Sequence, residues 1–322
     1  MDNQQDPNLS DQNESGWEQA VLEKLAFAAV EEQKKTRRWG IFFKFLTFAY
    51  LAVAIGLLAY PRFEADISTA KGHAAVIDVR GMIADGEAAN ADTIIEGLRD
   101  AVKDKNTKGI ILNINSPGGS AVQSAYVYDE IRRQKVEHPD MPIYAVVGDM
   151  CASGGYYIAS AADKIYVSQA SLIGSIGVIM NGFGFSNVLE KLGVERRLLR
   201  AGEHKALLDP FSPVNQQESE HMQSLLNQVH QQFINAVKQG RGNRLKESAE
   251  MFSGLVWNGE DGVKLGLADD FGSVDSVART VLGTEEILNF TPREQLLDRL
   301  AGKFGASFAQ AIGATIKSIN IQ

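Results

Sequence analysis

The chain has 322 residues, 44% of them hydrophobic and 22% charged, an ordinary composition for one large globular domain or two modest ones. Its formal charge of −8, from 32 basic and 40 acidic residues, excludes the basic footprint of a nucleic-acid-binding protein. The single cysteine, Cys151, excludes an intrachain disulfide.

Residues 1–15 are polar and acidic and read as disordered. Over 16–38, Trp17, Val21, Leu22, Leu25 and Val30 recur at helical spacing. That pattern fits an amphipathic helix at a membrane surface or against a partner, and equally a plain solvated helix. The run 41–60 is apolar except for Lys44 and two threonine or tyrosine hydroxyl groups near its middle. Twenty helical residues cover about 30 Å, the thickness of a bilayer core. Lys44 lies in the first turn, where its stem can snorkel, Trp39 and Tyr60 bracket the run, and Pro61 ends it. Lys34, Lys35, Arg37 and Arg38 precede it, so the positive-inside rule puts residues 1–38 in the cytoplasm and the remainder outside. A cleaved signal peptide fits poorly, because the run is long, starts late and lacks a small-x-small site after it. The resulting plan is a cytoplasmic segment over 1–38, a transmembrane helix over 39–61, an extracytoplasmic domain over 62–284 and a helical extension over 285–322, with 295–316 helical.

From residue 71 the periodicity alternates. Strands are expected at 74–79, 109–114, 143–147 and 164–167, and helices at 91–103, 121–134, 156–162 and 216–239. Strands apolar on both faces that alternate with helices imply an α/β fold with a largely parallel, helix-covered sheet.

Three short stretches carry the chemistry. In Gly148-Asp149-Met150-Cys151-Ala152-Ser153-Gly154-Gly155, Ser153 sits on a glycine-flanked turn between an apolar strand and a small-residue helix. Such a turn exposes a hydroxyl and aims backbone N–H groups at a developing oxyanion, although it is not the G-x-S-x-G sequence. Read alone, it is also what a helix N-cap serine looks like. Asn115-Ser116-Pro117-Gly118-Gly119 follows another apolar strand, and its Pro-Gly-Gly turn leaves backbone N–H groups free. Lys205 lies beside Ala206, Leu207, Leu208 and Phe211, which could desolvate its amine. A lysine serves as a base only when neutral, so the nearby Asp209 has to be engaged by another group. An isolated lysine is otherwise an ordinary surface residue. None of the five histidines has a recognisable Asp partner, and no Cys/His metal spacing occurs. Cys151 reads as a small buried residue.

In order along the chain, these stretches, with Gly174-Ser175-Ile176-Gly177-Val178 and Gly266-Leu267-Ala268-Asp269, resemble the bacterial signal peptide peptidase family. These are membrane-bound serine-lysine peptidases related in fold to Clp protease and the crotonases. The resemblance runs from about residue 74 to 274 and implies repeated ββα units behind one transmembrane helix. It implies Ser153 as nucleophile, Lys205 as general base, Gly119 and Gly154 as oxyanion-hole donors, Ser175 as the group that orients the lysine, and no cofactor or metal. His204 stands where the family often has an aromatic residue, and Cys151 where a smaller one is usual. One copy of the catalytic domain implies the short form, a ring-like homo-oligomer with serine and lysine from neighbouring protomers. The expected protein is a serine endopeptidase anchored in the inner membrane with its catalytic domain in the periplasm. It would degrade remnant signal peptides or other short apolar peptides, with the lipid bilayer and further copies of itself as partners and no nucleic acid. The alternatives are a catalytically silent membrane scaffold on the same fold and, more weakly, an acyl-CoA-handling enzyme.

Overall fold

The computed structural model describes residues 31–54 and 72–292, together with Lys24 and Phe27. The chain divides into two units, Met1–Ala70 and Lys71–Gln322. In the first, residues 31–54 form a helix, α1, almost all of it exposed. The first fourteen residues of the expected membrane span are therefore helical, and the last six, 55–60, lie outside the described residues, as do 1–15 and the expected helix at 295–316. Among the described residues no helix is long and apolar enough to cross a membrane.

The second unit is a mixed α/β layer structure of the Clp protease kind, built on an eight-stranded sheet. Its strands are β1 (His73–Arg80), β2 (Thr107–Ser116), β3 (Ile143–Ala152), β4 (Lys164–Val167), β5 (Leu172–Gly174), β6 (Val256–Asn258), β7 (Asp270–Phe271) and β8 (Ile287–Asn289). The main order is β6-β5-β3-β2-β1-β8, with β4 joining β3 to β7. Every pairing is parallel except β5 with β6. The sheet continues past residue 284, because β8 pairs with β1.

Helices cover both faces. In β2, Ile110, Leu112 and Ile114 enter the larger core while Ile111 enters the smaller one. A strand buried on both sides must be apolar at consecutive positions, which is why 109–114 reads as a continuous apolar run. α2 (Ala91–Lys103) lays Ile94, Leu98 and Ala101 onto the larger core. Its N-cap, Asn90, accepts a 2.9 Å bond from the Thr93 N–H. α3 (Ala121–Glu137) adds Val127, Tyr128 and Ile131. α4 (Gly154–Ser160), α5 (Ser186–Lys191), α6 (Gln216–Arg241) and α7 (Gly259–Lys264) follow. α8 (Val274–Thr280) places Val277 and Ala278 on the opposite face, against Val76, Ile111 and Tyr166. Burying each Ile or Leu side chain stabilises the fold by about 1.5–3 kcal/mol.

β3 forks the sheet. Tyr144–Val146 pair with β4, but Met150–Ala152 pair with β5. The β2–β3 register also shifts between Ile114 and Ser116. These two irregularities occur immediately before the turns that carry Gly119 and Ser153.

The end of α6 is fastened by a buried ion pair. Arg241 is fully buried and forms bonds of 2.7 and 3.0 Å to the Asp269 carboxylate and of 3.0 and 2.8 Å to the Gly266 carbonyl. Asp269 also accepts from the Ile165 N–H at 2.7 Å, so the Gly-Leu-Ala-Asp stretch ties α6 to β4. Burial opposes ionisation of Asp269, but the Arg241 bonds and charge outweigh it and hold the carboxyl below its ordinary value. A depressed carboxylate contributes stability that is present above the unfolded-state value and lost as pH falls through the folded one. Asp269→Asn leaves the Arg241 charge uncompensated and should cost about 3–5 kcal/mol of unfolding free energy. Denaturant titrations across acidic pH should also show a shallower acid loss in Asp269→Asn than in wild type.

Candidate active site

The first part of the site is a pair of interlocked backbone turns. Ser153 joins β3 to α4 with φ 51° and ψ −121°, a conformation that L-residues adopt only when their surroundings impose it. The Ser153 N–H bonds to the Gly174 carbonyl at 2.8 Å, and its carbonyl accepts from the Tyr157 N–H at 2.9 Å. The hydroxyl makes no capping bond, so this serine is not held as a helix N-cap. Against it lies the Pro117-Gly118-Gly119 turn. A Cβ on Gly118 would sit 2.7 Å from both the Ser153 Cβ and the Gly154 nitrogen. A Cβ on Gly119 would sit 2.2 Å from the Ile83 carbonyl oxygen. Both positions have positive φ, 101° and 151°, so glycine is required for conformation as well as for space. Neither the Gly119 nor the Gly154 N–H donates to an acceptor among the described residues.

A cavity of about 750 Å³ opens at these turns, within the range of small-ligand sites. Ser153, Gly154, Gly119 and Ser175 all line it. Ser175 follows β5 with a positive φ of 51°, and its N–H bonds to the Leu255 carbonyl at 2.7 Å. The remaining wall is mostly apolar: Val122 and Ala125 from α3, Val178 and Ile179 after β5, and Val229 and Phe233 from α6. Tyr157 stacks on Phe233 with ring centres 4.8 Å apart.

Lys205 lies elsewhere. It is exposed, does not line the cavity, and has no ion pair among the described residues. Its turn, 201–208, belongs to an arm that folds back on itself. The Phe185 N–H bonds to the Pro210 carbonyl at 2.6 Å, Phe185 stacks on Phe211, and the Arg196 guanidinium lies 5.5 Å over the Phe211 ring. Asp209 is bound by Arg196 and accepts from the Ser212 hydroxyl at 2.6 Å. The carboxylate next to Lys205 is thus engaged by another cation, as a lysine base requires. His204 pairs with Glu218 at 3.1 Å instead of facing Ser153.

The cavity lining contains no histidine, and Nε2 of His230 contacts the Ile176 carbonyl at 3.0 Å. Cys151 is fully buried, and burial pushes its thiol up, away from the reactive thiolate. Among the described residues no group of three or more His, Cys, Asp or Glu side chains could hold a metal ion. The lining residues contributed by α3 and α6, Asp129 among them, were not among the residues expected from sequence. Ala121, Val122, Ala125, Tyr126 and Asp129 share one helical face, but sequence alone does not show which face turns toward Ser153.

Residues 135–286 match the model of peptidase family S49, and residues 68–173 match that of Clp protease. The S49 match covers a little under half of the chain, and S49 is the family that this chain is similar to. The S49 match takes in Ser153, Ser175 and Lys205, while Gly119 falls within the Clp protease match. A protein named Na(+)/H(+) antiporter NhaA from Brucella abortus is 41% identical over 203 residues, 63% of this chain but 27% of that protein. A protein of Enterococcus faecium whose name includes signal peptide peptidase SppA is 33% identical over 204 residues, 61% of this chain and 59% of that one. Protease 4 of Haemophilus influenzae is 34% identical over 222 residues, 67% of this chain and 35% of that one. The chain thus spans between about a quarter and three fifths of the length of these relatives.

The strain at Ser153 has a measurable consequence. A non-glycine residue in such a conformation costs about 1–3 kcal/mol. Ser153→Gly removes it and Ser153→Ala does not, so the glycine variant should be the more stable of the two by about 1 kcal/mol, the reverse of the usual order. Thermal unfolding of both variants measures the difference.

Proposed function

We propose that this chain is a serine endopeptidase with a Ser153–Lys205 dyad, tethered to a membrane through the apolar run 41–60. Its substrates in this reading are remnant signal peptides or other short apolar peptides. The observation that carries the proposal is the strained, uncapped Ser153 lining an apolar cavity, beside two backbone N–H groups without acceptors among the described residues.

The chemistry follows from these groups. Ser153 Oγ attacks the scissile carbonyl carbon as its proton passes to a neutral Lys205 amine. The carbonyl oxygen becomes an oxyanion held by the Gly119 and Gly154 N–H groups. The C–N bond then breaks, and the leaving nitrogen takes the proton from Lys205. A water, deprotonated by the same amine, attacks the acyl ester; the C–Oγ bond breaks as Oγ takes the proton back from Lys205, which releases the carboxyl product and restores both groups. Ser175 is suited to orient the amine, because it lines the same cavity and directly follows Gly174, whose carbonyl accepts from the Ser153 N–H.

An exposed ammonium cannot serve as this base, so Lys205 must be desolvated in the active assembly. We assign that step to association. The arm around Lys205 exposes large apolar side chains, with Leu199 at 97%, Ile179 at 85% and Phe183 at 81% of their full exposure. Large apolar side chains this exposed suit an interaction site. A ring of copies would cover it and bring Lys205 of one protomer to Ser153 of the next. The catalytic unit would then lie outside the cytoplasmic membrane, on the side opposite the Lys34–Arg38 cluster, where cleaved signal peptides remain in the bilayer.

Mixing Ser153→Ala with Lys205→Ala protomers tests it. Each homogeneous variant should be inactive, and the mixed assembly should regain part of the peptidase activity. Activity that stays at background despite demonstrated subunit mixing would defeat the shared site. Lys205→Arg should be as inactive as Lys205→Ala, because arginine keeps its proton in proteins. Substantial turnover in Lys205→Arg would remove Lys205 as the base and favour another catalytic mechanism.

A further inference from the structure

The cavity at Ser153 is lined by apolar groups, hydroxyls, an amide and one charged side chain, Asp129. Asp129 lies on the cavity face of α3 and is exposed. Among the described residues it has no ion pair. The neighbouring carboxylate, Glu130, is engaged by Arg99 and Arg133, and Arg133 also binds Glu137. The charge is felt across the cavity: burial first, and the Asp129 carboxylate second, push the Tyr157 hydroxyl on α4 above its ordinary value.

We infer that Asp129 is a specificity-determining residue that selects substrates carrying a cationic side chain a few residues from the bond to be cut. The inference rests on the peptidase reading above. Ala121, at the Gly119 end of α3, and Asp129 are eight positions apart on one helix, about 12 Å along its axis. An extended peptide covers that distance in three to four residues at about 3.3 Å each. The long stem of a lysine or arginine shortens the requirement by up to about one position. The cation therefore belongs about two to four residues from the scissile bond, with apolar residues between it and Ser153. An apolar stretch beside a positive charge is also the general chemistry of a secretory signal sequence, with its basic first region and apolar second region. Apolar cavity walls and one unpaired carboxylate are complementary to both parts.

The test uses the full-length protein and quenched-fluorescent peptides of leucine and alanine. A single lysine is moved through the positions two to four residues on either side of the cleaved bond, and norleucine, which keeps the length without the charge, replaces it in a matched set. At one of these positions wild type should favour lysine over norleucine about 5-fold in kcat/KM at low salt, and the ratio should shrink in about 0.5 M NaCl. Asp129→Asn should bring the ratio to about one, and Asp129→Lys should make glutamate the favoured residue at that position. Because the charge reversal produces a new preference, loss of folding cannot imitate it. Equal cleavage of lysine and norleucine peptides by wild type at every position, or a preference that survives Asp129→Asn, would overturn this inference while leaving the peptidase reading intact. A wild-type protein that cleaves none of the peptides would overturn both.

Discussion

Two backbone turns approach so closely that neither can carry a side chain toward the other, and the site depends on that contact. Gly118 lies where a Cβ would collide with Ser153 and Gly154, and Gly119 where one would collide with Ile83. The parallel pairing of β2 and β3 delivers the turns side by side, with Ser116 opposite Cys151 immediately before them. Backbone packed against backbone fixes Ser153 in a conformation it would not adopt alone, and it leaves two N–H groups at the cavity with no acceptor among the described residues. Buried or confined N–H groups without partners are uncommon, and where they persist a ligand atom is the natural acceptor. The cores on both sheet faces and the buried Arg241–Asp269 pair keep the strands beneath these turns from relaxing.

Much of this was legible in the sequence. The consecutive apolar positions of 109–114 and 143–147 announced strands buried on both faces, and β2 and β3 contain them. The helix expected at 91–103 has those bounds, because Asn90 caps it and the Ile94–Leu98–Ala101 stripe faces the core. Ser153, Gly154 and Gly119 stood out through glycine placement, and Ser175 through the family pattern. The helix expected at 156–162 starts at Gly154 instead, since the turn itself supplies its first residues. Short elements such as β5, β6 and β8 gave no periodicity, because three residues are too few to show one.

Other features depended on distant partners. Asp209 looked like a threat to a lysine base, and its engagement by Arg196 could be seen only once the arm folded back. His204, beside Lys205, takes a glutamate from the start of α6. Asp129 was one acid among many on a charged helix until the cavity gave it a direction. In each case sequence supplied the residue type, while tertiary folding supplied the neighbour that gives it meaning.

The separation of Ser153 from Lys205 within one chain is the central feature of this account. The turn of the proposed nucleophile is complete in a single copy, whereas the proposed base is exposed on an apolar arm that has nothing to cover it among the described residues. The most direct measurement is covalent labelling of the assembled protein with a fluorophosphonate, followed by mass spectrometry of its peptides. The account predicts one adduct, on Ser153, formed by wild type and nearly absent in Lys205→Ala even though every serine remains. An adduct on a different serine, or labelling of Ser153 at the wild-type rate in Lys205→Ala, would contradict it.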